Sequence, residues 1–185
     1  MIKKIAESVK QPLSFNRLRN IVVSTGSRIT VPTTIDYVNH AADSWLILPI
    51  ENEIAKLADK ESVKKYYFID NGLLNLFLIN PETSLLENMV AVHLCRTYGK
   101  DNVSYYKDER EIDFVVADKK LAIQVSYSIK EEDTLKREVT PLVHFGQTHS
   151  DWRLQIITFD EQATLTPTAD TSIEVIPIWK WLLDD

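Results

Sequence analysis

Cysteine occurs once in the 185 residues, as Cys95, and glycine only four times. A lone thiol excludes a disulfide framework and points to a reducing interior. Basic residues number 21 against 27 acidic ones, giving a formal charge of −6 and a pI near 5.3. Such a balance excludes a surface that clings to nucleic acid everywhere, so any contact of that kind must be local. No apolar run reaches the ~18 residues of a membrane span, and the N-terminus lacks the apolar core of a signal peptide. The expected setting is therefore the cytoplasm, with no membrane partner. His40, His93, His144 and His149 have no ligand-like spacing with Cys95, which argues against a zinc site. A phosphate loop of the form G-x-x-x-x-G-K-[ST] is missing too, which rules out ATP binding by that route.

What is present is an ordinary globular composition, 44% hydrophobic and 26% charged, with room for one domain of usual size or two small ones. The run EIDFVVADKKLAIQVSYS, from Glu111 to Ser128, has apolar residues at every second place. It reads as two strands folded on a tight turn. With Asp118 and Lys119 as a two-residue turn, Asp113 lies opposite Gln124 and Phe114 opposite Ile123. Ile112, Phe114 and Val116 then share one face with Leu121, Ile123 and Val125, while Asp113, Gln124 and Ser126 share the other.

Along the chain, IKKIAESVK spaces Ile2, Ile5, Ala6 and Val9 as a helix that ends before Pro12. Ser14 caps a second helix, FNRLRNIVV, which stops near Thr25 and Gly26. VPTTIDYVNHAADSW places Pro32 in a first turn and lines up Ile35, Val38 and Ala42. Two apolar runs follow, WLILPI and KKYYFID, separated by a polar stretch from Glu51 to Lys60. Helices followed by a two-strand ribbon predict a winged helix-turn-helix over residues 1–70. Beyond it, Asn71 to Leu78 reads as a short helix or turn. SLLENMVAVHLCRTYG reads as a helix with Ser84 at the cap, Glu87 at the capping-box place and Gly99 at the end. A strand from Val103 to Lys107 leads into the hairpin; then come a helix, EEDTLKREVTPLVHF, a strand, RLQIITFD, a polar threonine-rich loop, and SIEVIPIWKWLLDD. The second domain, 71–185, thus has the order helix, three strands, helix, strand, and the overall class is α/β (α+β).

Asp113 on one strand and Gln124 on the next resemble the PD-(D/E)XK nuclease-like superfamily, in which an acid and a (D/E/Q)-x-K pair bind a divalent metal. The phrases KKYYFIDNGLL, LLENMVAVHL, REIDFVV, IQVSYSI and TLKREVTPL extend the resemblance over nearly the whole chain. They are similar to the C-terminal domain of unknown function that follows the ATPase domain in many prokaryotic AAA-type ATPases. The resemblance implies a winged helix followed by a restriction-endonuclease-like αβββαβ domain, and a chain that is the C-terminal part of such an ATPase.

It also implies a site. Asp113 and Glu87 would be metal ligands for Mg²⁺ or Mn²⁺, with Gln124 in support, although a neutral amide is a poorer ligand for a hard cation than a carboxylate. Ser126 stands where the family has its lysine; Lys107 and Lys130 are the candidates to replace it, and Glu111 is a candidate second carboxylate. Each has a plainer reading: Glu87 as the capping-box glutamate, Glu111 as a solvated strand end, the lysines as surface charge. For DNA, Arg17, Arg19 and Arg28 are candidates for the backbone and Asn39 and His40 for bases. Residues 32–45 nevertheless hold no Lys or Arg, which suits a protein-contact module at least as well. Arg137 and Glu138 are expected to pair with the sheet or a neighbouring helix, and Trp179 and Trp181 to pack in the core or at an edge. Two functions follow. The preferred one is a nuclease-like domain that has lost catalysis, requires no cofactor and acts in binding or regulation, with DNA, an ATPase domain or another protein as partner. The alternative is a metal-dependent DNA endonuclease with a displaced lysine.

Overall fold

Side-chain caps decide where the first helices begin. After α1 (Ile2–Ala6), the Ser14 hydroxyl accepts the Arg17 N–H at 3.1 Å and starts α2 (Phe15–Ser24) directly from a short strand, β1 (Leu13–Ser14). Thr30 caps α3 (Val31–Asp43) in the same way, with Pro32 in the first turn, where its missing N–H costs no hydrogen bond. The buried ridge of α3 is Thr34, Val38 and Ala41, rotated slightly from the Ile35, Val38 and Ala42 stripe that the spacing suggests. Thr34 tolerates burial because its hydroxyl returns to the Thr30 carbonyl. This computed structural model describes residues 1–183, a mixed α/β protein, and the last two residues of the 71–185 segment lie outside them.

The two apolar runs become β2 (Ile47–Asn52) and β3 (Val63–Phe68), with α4 (Leu57–Ser62) occupying part of the polar connection. They pair antiparallel, Ile47 opposite Phe68, and β1 pairs with the other side of β3. Next come α5 (Asn71–Asn75), capped by the Asp70 carboxylate, and α6 (Glu82–Tyr98). The chain divides into two compact units between Val92 and His93, inside α6. A change of pattern after residue 70 invites a boundary there, but side chains of the early α6 tie it to β3. Asn88 accepts the Phe68 N–H at 2.7 Å and returns its amide to the Phe68 carbonyl at 2.8 Å, as a neighbouring strand would.

The second unit holds β4 (Ser104–Lys107), β5 (Glu111–Val116), β6 (Leu121–Val125), α7 (Glu132–Thr148), β7 (Arg153–Thr158), β8 (Ala163–Thr168), β9 (Thr171–Pro177) and α8 (Ile178–Trp181). Its strands lie in the order β4-β5-β6-β7-β9-β8, with β6, β7 and β9 parallel and the other pairings antiparallel. α7 is the crossover that the parallel β6–β7 pair requires. Leu142 and Phe145 of α7 pack on Ile112, Val115, Ala122, Leu154, Ile156, Ile173 and Val175 of the sheet.

Three local expectations are corrected. The hairpin register stands, with Phe114 opposite Ile123, but the connection is a helical turn, Ala117–Lys119, closed by Lys120 at φ 48, not a two-residue turn. The threonine-rich segment is a strand, β8, because β9 supplies its hydrogen-bond partners; it forms an edge, with Pro167 in it. Finally, α6 starts at Glu82, where the Pro81 carbonyl accepts the Leu85 N–H at 2.8 Å, so Ser84 sits within the first turn and Glu87 is not a capping residue. Among the described residues no helix is long and apolar enough to cross a membrane.

Tyr66 is 3% exposed, and its hydroxyl has no hydrogen-bond partner among the described residues. Burial pushes its ionisation well above the usual phenol range. Tyr66→Phe removes a desolvated polar atom at little cost in volume and is expected to leave stability unchanged or raise it by about 1 kcal/mol. Urea denaturation checks this; a loss of stability would reveal a partner for the hydroxyl.

Candidate functional site

Between Ser104 and Tyr106 the β4–β5 ladder shifts register: two steps along β4 match three along β5, from Val115 to Ile112. The extra residue is a β-bulge over Asp113 and Phe114, and a bulge re-aims the side chains beside it. Ile112 consequently joins Val115 and Ala122 beneath α7, not the Phe114 and Val116 face that strict alternation assigns to it. Asp113 and Gln124 are brought together as expected. The Asp113 N–H donates to Gln124 Oε1 at 2.9 Å, and Asp113 Oδ2 accepts the Val125 N–H at 2.9 Å. Two side chains thus continue the ladder beyond the last backbone pairing, Phe114 with Ile123.

Gln124 is 5% exposed, and its amide must satisfy both ends. Its Nε2 donates to Glu138 Oε2 of α7 at 3.2 Å, while Arg137 donates Nε and a terminal nitrogen to Glu138 Oε1 at 2.9 and 2.7 Å. Glu138 therefore pairs with the sheet and with its own neighbour. Ser126, at the lysine place, is buried; its hydroxyl donates to the Ser128 carbonyl at 3.0 Å and closes the turn after β6. Lys107 bonds Glu111 at 2.9 Å across the β4–β5 ladder, and Lys130 lies exposed after the turn.

Glu87 belongs to the first unit, and there it is 2% exposed. Tyr67 donates its hydroxyl to Glu87 Oε1 at 2.8 Å, with Lys65 Nζ at 3.9 Å and Lys10 Nζ at 4.0 Å. Lys65 and Tyr67 alternate onto one face of β3, and the fully buried Lys65 is matched by this carboxylate, as a buried charge must be. Asp113, Gln124 and Glu138 each hold oxygens that already accept hydrogen bonds. No group of three or more His, Cys, Asp or Glu able to hold a metal occurs among the described residues. A small hard cation such as Mg²⁺ is held by one or two carboxylates and keeps several waters; here Asp113 Oδ2 accepts the Val125 N–H and both Glu138 oxygens accept side-chain donors. Of the proposed DNA contacts, Arg17, Arg28, Asn39 and His40 are exposed, and Arg19 bonds the Ile29 carbonyl and Asn20.

Glu138 meets the sheet as expected, through Gln124; sequence reasoning missed the role of Lys65 as a buried partner, for which an ionisable residue inside an apolar strand, as in KKYYF, was the available signal. Of the two tryptophans expected in the core or at an edge, Trp179 is 60% exposed and so not in the core, while Trp181 is half-buried and donates its indole N–H to Gln155 at 3.3 Å. Burial, and secondarily Asp101, pushes the Cys95 thiol up to about 12.

Gln124→Glu is expected to destabilise the second unit by about 2–4 kcal/mol at neutral pH, since it replaces a donor to Glu138 with a second buried carboxylate. The loss should shrink as pH falls through the carboxylate range and one of the two acids takes a proton. Denaturant titrations across pH on both proteins measure it. Cys95 should react with iodoacetamide far more slowly than a free cysteine at neutral pH and speed up only in strong alkali, because a raised pKa delays formation of the thiolate.

No family model matches the chain, and no solved structure does. Among curated proteins it is similar to the uncharacterized protein MJ1544 of Methanocaldococcus jannaschii. The two are 28% identical over 185 aligned positions, which cover 92% of this chain and 41% of that protein. The chain therefore spans well under half the length of this relative.

Proposed function

We propose that the second unit is a nuclease-like domain in which the metal-binding pair has become structural, and that the chain acts as a binding or regulatory module at the C-terminal end of an AAA-type ATPase. The observation that carries this reading is the double engagement of Gln124: its oxygen is taken by the Asp113 N–H and its nitrogen by Glu138. Ser126 at the lysine place supports it, since a neutral hydroxyl whose proton goes to the Ser128 carbonyl supplies none of a lysine's positive charge. The alignment to part of a longer relative suits a module of a larger protein.

The first unit is read as a winged helix. Its helices α2 and α3 followed by the β2–β3 ribbon have the required order. α3 exposes Asp36, Tyr37, Asn39 and His40 and carries no Lys or Arg, which favours a protein surface over phosphates as its partner. The ATPase domain is the partner this reading names first, with DNA second.

Calorimetric titration with Mn²⁺ tests the reading, using Asp113→Asn as the control because an amide oxygen still accepts the Val125 N–H. The expected result is the same absence of saturable binding in both proteins at millimolar metal, and no nicking of supercoiled plasmid. Saturable binding lost in Asp113→Asn, together with metal-dependent nicking, would overturn the reading in favour of an endonuclease.

A further inference from the structure

The sheet of the second unit has a second face, opposite the one that α7 covers. On β7, Leu154 and Ile156 pack beneath α7, and so do Ile173 and Val175 on β9. Strand alternation turns Arg153, Gln155 and Glu174 to the opposite face. There they line a cleft of about 680 Å³ together with His93, Lys180 and Trp181, a volume in the usual range of roughly 300–1,000 Å³ for small-molecule sites.

The groups in this cleft are held in place and chemically mixed. Gln155 is 6% exposed. It accepts the Trp181 indole N–H at 3.3 Å and donates to Glu174 Oε2 at 3.2 Å, which fixes the tryptophan and the acid relative to one another. The His93 ring packs on Trp181 with centroids 4.7 Å apart. Arg153 and Lys180 also line the cleft, and neither side chain has an acidic partner among the described residues. Their donors suit an oxyanion, and a guanidinium suits a phosphate above others. Glu174 sets a limit in the same space: it repels a polyanion but accepts hydrogen bonds from hydroxyl or N–H groups of a ligand that carries one phosphate.

We propose that this cleft binds a nucleoside monophosphate, with the phosphate at Arg153 and Lys180 and the sugar hydroxyls or base N–H groups at Glu174. The site is separate from the Asp113–Gln124 pair, which lies toward the other end of β6 and bonds toward α7. It does not depend on the module reading above.

The test uses the full chain and the 5′-monophosphates of adenosine, guanosine, cytidine and uridine, one at a time, with binding followed by calorimetry and tryptophan fluorescence. Adenosine alone and inorganic phosphate alone are run beside them. At least one nucleotide is expected to bind saturably and more tightly than either fragment. Arg153→Ala should weaken it about tenfold or more, as loss of a charge-assisted contact to phosphate does. Glu174→Gln should weaken it less, and both exposed substitutions should leave the melting temperature near that of the parent chain. Absence of binding at millimolar nucleotide, equal binding of inorganic phosphate, or affinity unchanged in Arg153→Ala would each overturn the proposal.

Discussion

The amide of Gln124 is the group on which the open end of the β5–β6 hairpin depends. It joins three elements at once: its oxygen receives the backbone of β5, its nitrogen reaches α7, and its own strand receives the Asp113 carboxylate one residue further on. Only a side chain with a donor and an acceptor on the same terminus serves there. A glutamate would set two carboxylates against each other in a buried place, and a leucine would remove the acceptor of the Asp113 N–H and the amide donor to Glu138 Oε2. Glutamine at 124 thus matches glutamate at 138, and Arg137 holds that glutamate by its other oxygen.

The first unit rests on a related device. Lys65, Tyr67 and Glu87 form a buried polar group between β3 and α6, and Asn88 binds the backbone of Phe68 with both halves of its amide. Such groups carry a heavy penalty when incomplete. They therefore select one arrangement of strand and helix where apolar packing alone would accept several.

How much of this was legible in the sequence depends on the range of the interactions. Strand alternation and caps are local, so the pairing of Phe114 with Ile123, the cap at Ser14, and the end of α6 at Gly99 could be read from neighbouring residues. The β-bulge could not, because alternation continues in the letters while the backbone takes an extra step, and Ile112 changes face as a result. Glu87 was read through a three-residue spacing to Ser84, although its actual partners lie on β3 and at Lys10, far away in the sequence. Of the candidate site, the Asp113–Gln124 pairing was legible. Its closure by Glu138 was visible only as a general expectation that this residue would meet the sheet, since nothing local selects which strand a helix side chain touches.

The strand that replaced an expected loop has a bearing on self-association. β8 is the edge of the second unit's sheet beside β9; Pro167 removes one of its donors, and its register slips between Leu165 and Thr168. An edge with a missing N–H and an irregular spacing offers an incoming strand no continuous ladder to extend. Its threonines remain wetted in the meantime. This margin of the sheet is thereby guarded against the strand-on-strand growth that leads to fibrils, by a sequence whose composition alone looks like a mere linker.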